Sequence, residues 1–250
     1  MKHSERRHLK DNELAIALGQ ANAWRARHQK TVTTVAIAIV LVAVAVFGFI
    51  AWRNSVNNRA RAMLAEGMVV YEARVTPPTP PPDPAGNASP AAPAPPAPNT
   101  FTTEKAKLEA ALPKFTATAD AYPSTDAGQT ARYHAAAVLV GLGRYDEAIA
   151  QYDRVIADAS GLLPQMARLG KAEAQLRASQ YDAAIASFKE LSERTDTGVP
   201  KEAMLLELAR AYRLAGKNDD ARKTLTQIVE QHADSPFASE AKTELEKIKG

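Results

Sequence analysis

Apolar and polar residues recur with a helical period along most of this 250-residue chain, and two stretches break the pattern. The first is Thr31–Trp52, TVTTVAIAIVLVAVAVFGFIAW, which holds no charge and no proline. A helix rises about 1.5 Å per residue and a bilayer's hydrocarbon core is about 30 Å thick, so this 22-residue run is long enough to cross it. A soluble core helix of that length would carry a polar face. A cleaved export signal has a short basic start and an apolar stretch of about 7–15 residues, whereas here 30 residues come first. The pattern predicts a single transmembrane helix over 31–52 that is retained. Trp24 and Trp52 fall where indole rings settle at the two interfaces.

On either side the period is helical again. In the tail, 1–30, DNELAIALGQANAW predicts a short amphipathic helix capped by Asn12, with Leu14, Leu18 and Ala21 on one face. After the apolar run, Ala60, Leu64, Met68, Tyr71 and Val75 form a stripe that predicts a helix over 53–75. The second break is residues 76–100, where eleven of 25 residues are proline. Proline removes backbone donors and blocks helix, so this segment is an extended, solvated linker.

From Phe101 onward the pattern is helical almost throughout, and no alternating β-branched run suggests a strand. GRYDEAIAQYDRVI, SQYDAAIASFKELS and GKNDDARKTLTQIV align on Ala148, Ala184 and Ala221, 36 and 37 residues apart. A step of 37 back from Ala148 reaches Ala111. Four positions after each alanine stands a large residue: Phe115, Tyr152, Phe188 and Leu225. The small residue lets a second helix approach its neighbour closely, and the large one fills the space a turn later. Gly143, Ser179 and Gly216 fall where the two helices of each pair must turn. The hairpin at Ala111 lacks a first helix of its own. Either 53–75 supplies it, making 76–100 an insertion inside the first hairpin, or 53–75 extends the membrane helix and 76–100 is a tether. The first reading is preferred, because an amphipathic helix left unpacked would waste its apolar face. Repeats are expected over 101–234, and a capping helix over 235–250 with Ser235 as its N-cap.

Ala136, Gly143, Tyr145, Ala148 and Tyr152 resemble the tetratricopeptide repeat motif, as do Ala172, Ser179, Tyr181, Ala184 and Phe188, and Ala209, Tyr212, Gly216, Ala221 and Leu225. The resemblance implies an all-α fold, a right-handed superhelix of helix–turn–helix repeats preceded by the transmembrane helix. It also implies a concave groove for protein or peptide partners, lined by the first helix of each pair. The family's groove positions fall here on Tyr133 and Val140, on Leu169, Glu173 and Arg177, and on Leu206, Arg210 and Arg213. The three arginines together would suit a carboxylate. A tail containing LKDNELA, one anchor and an alanine-rich repeat domain is similar to the YfgM-type group of bacterial membrane proteins. That likeness implies an ancillary partner of the Sec translocon in the inner membrane, with its repeats in the periplasm.

Charge refines orientation and partner class. Residues 1–75 carry 11 Lys+Arg against 5 Asp+Glu, while residues 101–250 carry 20 against 22. The basic excess therefore sits around the apolar run, and the repeats are slightly acidic, which argues against nucleic acid as their partner. Seven basic residues precede the run and four follow it up to Val75, so the positive-inside rule favours a cytoplasmic N-terminus. Cysteine is absent, and the five histidines offer no metal-ligand spacing. No glycine-rich phosphate loop or Gly-x-Ser-x-Gly elbow occurs. The acidic pairs Asp146/Glu147 and Asp219/Asp220 open helices, where they complement the dipole. Neither enzyme activity, a metal nor a cofactor is expected. The alternative to a groove-binding scaffold is a self-associating organiser of an envelope complex.

Overall fold

The computed structural model describes Gly19, Trp24 and residues 28–76, 100–194 and 198–249. The expected tail helix and proline-rich linker lie almost wholly outside these residues. The chain forms two compact units, residues 1–55 and 56–250.

Helix α1 spans Gln29–Tyr71. It is long and apolar enough to cross a membrane, and none of its most apolar window is buried. Ile39, Leu41 and Phe47 are all exposed. The sequence suggests a boundary at Trp52 and a separate helix over 53–75. The structure instead has one helix that ends at Tyr71, because no proline interrupts 31–71 and Gly48 and Gly67 are its only glycines.

The second unit takes up the chain at Val56. After α1, β1 (Arg74–Val75) pairs in parallel with β2 (Thr100–Phe101), Arg74 opposite Thr100 and Val75 opposite Phe101. The Thr76 amide donates to the Phe101 carbonyl at 2.8 Å. Two residues are too few to show as an alternating pattern, so this pair is invisible in the sequence. It brings the two ends of the proline-rich segment side by side.

Among the described residues eight helices follow: α2 (Glu104–Ala121), α3 (Asp126–Gly141), α4 (Tyr145–Asp158), α5 (Leu163–Arg177), α6 (Tyr181–Glu193), α7 (Lys201–Leu214), α8 (Asn218–Gln231) and α9 (Ala238–Lys249). From α2 on, each packs on the next. Leu64, Met68 and Tyr71 of α1 pack against a core of Leu108, Ala111, Phe115 and Val138. The four repeat alanines Ala111, Ala148, Ala184 and Ala221 are fully buried, and Phe115, Tyr152, Phe188 and Leu225 are buried beside them.

The capping helix begins at Ala238, three residues later than expected. Ser235 shapes the turn before it: its hydroxyl accepts from the Phe237 amide at 3.3 Å and its carbonyl from Ala238 at 3.0 Å.

The turns inside the three later pairs share one geometry. Gly143, Ser179 and Gly216 have φ of 74°, 61° and 75°. The next amide reaches back five residues in each case, Arg144 to Leu139, Gln180 to Gln175 and Lys217 to Tyr212. This left-handed stop costs an L-residue about 1–2 kcal/mol and glycine nothing. Ser179 is the only non-glycine residue with positive φ among the described residues. Ser179→Gly is therefore expected to raise the melting temperature of residues 53–250 by roughly 2 °C, the left-handed relief outweighing glycine's extra unfolded-state entropy. An unchanged or lowered melt would contradict that geometry.

Candidate partner-binding groove

The inner helices α3 and α5 border an open cleft of about 290 Å³. Its apolar lining includes Tyr133 and Val140 from α3, Met166 and Leu169 from α5, and Val199 from the loop before α7. Helical spacing explains the set: Tyr133 and Val140 lie two turns apart on one face, as Met166, Leu169 and Glu173 do on theirs. Tyr152 of α4 floors the cleft, its ring edge-on to Tyr133 at 5.7 Å. A glycine makes that floor possible. A Cβ on Gly170 would stand 2.6 Å from the Tyr152 ring, so α5 lies directly against the aromatic face.

Of the groove residues suggested by the resemblance, Tyr133, Val140, Leu169 and Glu173 line this cleft. Leu206 does not belong to a groove surface: it is buried in the core formed by α6, α7 and α8. Arg210 and Arg213 do not join Arg177 in a carboxylate site. Arg210 is ion-paired with Glu207 at 2.6 Å and with Glu240, and Arg213 with Glu244 at 3.7 Å. Helix α9 thus neutralises both, an arrangement between distant segments that spacing within one repeat cannot show. Arg177 is exposed and forms no ion pair among the described residues.

Met166, Gly170 and Val199 were absent from that set. Met166 was legible, three residues before Leu169 on the same helix face. Gly170 carried a weaker signal, as a glycine in mid-helix, where it costs about 1 kcal/mol against alanine unless something needs the space. Val199 comes from a loop and had none.

The electrostatics centre on Glu173. Its side chain opens to solvent, yet the surrounding wall withdraws enough water to push its carboxyl above the usual carboxylate range. The charge of Glu207 on α7 adds to the rise, and Arg177 opposes it. Burial, then Glu173, pushes the Tyr133 hydroxyl up as well. A carboxyl whose folded value is raised favours the fold below its unfolded value, and that contribution is lost as pH rises through the folded value. Glu173→Gln is accordingly expected to raise the melting temperature by roughly 1–2 °C near neutral pH and to leave it unchanged near pH 4, a small effect because the site is wet. A lower melt at neutral pH would mean the carboxylate is already compensated.

A second cleft of about 270 Å³ lies between α4, α5 and α6, bordered by Asp153, Arg168, Lys171 and Glu190. Lys171 holds Asp153 at 2.6 Å, and Glu190 meets Arg194 at 3.5 Å. Among the described residues no group of three or more His, Cys, Asp or Glu is placed to hold a metal.

Comparison with known proteins places this geometry. One tetratricopeptide repeat family model matches residues 104–162 and again 133–200, and a second matches residues 175–245. No curated protein matches the chain. Among solved structures, the nearly identical TPR-like repeats of a candidate kinesin light chain from Podosopora anserina are 17% identical, over 58% of this chain and 79% of that one, with a TM-score of 0.48. The MamA RS-1 ArsTM double mutant is also 17% identical, over 58% of this chain and 86% of that one, with a TM-score of 0.43. The family matches together cover more than half of the sequence, and the chain belongs to the tetratricopeptide repeat family.

Proposed function

We propose that this protein is a membrane-anchored scaffold whose repeats bind a protein partner in the α3–α5 cleft, on the extracytoplasmic side of a bacterial inner membrane. The observation that carries the reading is the cleft: an apolar wall left open on the inner helices, within a family whose repeats serve protein–protein interaction. The exposed apolar run of α1 supports the anchor, and the basic excess before that run supports a cytoplasmic N-terminus. The likeness to YfgM-type proteins supports a role beside the Sec translocon, in translocation or envelope assembly.

Two measurements test this. Protease added to spheroplasts should digest the repeats while the inner membrane is intact, and digestion only after lysis would reverse the orientation. The full chain, isolated from membranes by an affinity tag, should bring down a defined partner that Leu169→Asp loses while circular dichroism shows the repeats still folded, the melt falling because Leu169 also packs on the core. A partner retained by that variant would move the binding surface away from the cleft.

A further inference from the structure

We infer that the occupant of the α3–α5 cleft is an apolar segment carrying a basic residue, with its cation seated at Glu173 beside the Tyr133 hydroxyl. This deepens the groove reading above and rests on it.

The cleft offers two different chemistries. Val140, Met166 and Leu169 form an apolar wall, and Met166 is 42% exposed. Met is unbranched and adapts to the shape of an apolar side chain laid against it. Beside that wall stands a carboxylate without a matching cation. No ion pair holds Glu173 among the described residues, and Arg177, on the same helix, acts on it only through space. The other charge facing it, Glu207, is itself an acid and is already held by Arg210 at 2.6 Å. Arg210 and Arg213 are in turn occupied by Glu240 and Glu244 of α9. Glu173 is the charged residue among those lining the cleft, Arg177 standing outside the lining, and its reduced hydration strengthens a pairing with an incoming cation. The Tyr133 hydroxyl, held protonated by burial and by Glu173, is a neighbouring polar group for the same ligand. An acidic segment in the cleft would meet Glu173 and be repelled.

The test uses the full chain in detergent micelles and two labelled synthetic peptides of Leu, Ala and Ser that differ only at one central residue, Lys or Glu. By fluorescence anisotropy the Lys peptide should bind about tenfold tighter, and the preference should shrink as salt is raised. Glu173→Gln should abolish the preference with the melt retained, and Leu169→Asp should weaken both peptides. Equal binding of the two peptides, or a preference that survives Glu173→Gln, overturns the inference. If Leu169→Asp still weakens both in that case, the groove reading stands without it. If neither peptide binds while partner capture from membranes remains sensitive to Leu169→Asp, the inference alone falls. If that sensitivity is absent too, both fall.

Discussion

A fragment beginning at Phe101 is expected to melt roughly 10–20 °C below one beginning at Arg53. Phe115 explains the size of the effect. Its side chain is fully buried; His134 of α3 stacks on one side at 5.3 Å, and α1 supplies further cover: Gly67 lies so close that a Cβ there would stand 2.8 Å from the ring, and the Tyr71 ring meets it edge-on at 5.9 Å. Leu64 and Met68 pack against the same core. Cutting at Phe101 removes all four contacts and β1, and leaves Leu108, Ala111 and Phe115 facing water. Burying one large apolar side chain contributes about 1.5–3 kcal/mol, so several partial losses come to about 5 kcal/mol. One kcal/mol moves the melt of a domain this size by about 2–4 °C. We propose on the same ground that residues 76–100 are an insertion within the first helical hairpin: β1 and β2 hold its ends together, and the helix before it covers the helix after it. Replacing residues 77–99 with a short flexible link should then change the melt little, since closure entropy varies only slowly with loop length. Equal melts for the two fragments would make the segment a tether.

Gly128→Ala should lower the melting temperature by roughly 6–12 °C, although alanine is the better helix former. At an ordinary helical position this change gains about 1 kcal/mol. Here a Cβ would stand 1.9 Å from the Tyr122 carbonyl oxygen. That oxygen cannot swing away, because it accepts from the Thr125 amide at 3.1 Å and from the Thr125 hydroxyl at 3.0 Å. The same hydroxyl accepts from the Gly128 amide at 3.0 Å and caps α3. Relieving the clash means breaking the cap or shifting α3 away from α2, a loss at the upper end of the 1–3 kcal/mol typical of overpacking, about 3 kcal/mol. A melt that rises, as propensity alone would have it, would show that α3 can slide without loss.

The repeats were legible because their spacing is a packing requirement. An alanine at each helix crossing with a large residue four positions on admits one arrangement, and the turn positions followed, Ser179 among them. Features made by distant residues were not legible. The acids on α9 that occupy Arg210 and Arg213 lie 30 and 31 residues beyond them in the chain. The tightness at Gly128 depends on where the Tyr122 carbonyl points. Leu206 was assigned to the groove by register, but its side chain is enclosed by the core beneath α7. Composition changes at Trp52, yet no proline interrupts the backbone there, so α1 runs on to Tyr71, as the reading in which 53–75 extends the membrane helix has it.

The most direct test of the groove as the working surface is photo-crosslinking in intact cells, with a photoreactive amino acid placed at Leu169 in the cleft or at the exposed Lys189 on α6. One discrete partner adduct is expected from position 169 and none from position 189. Adducts of equal strength from both positions, or from position 189 alone, would contradict the groove as the working surface.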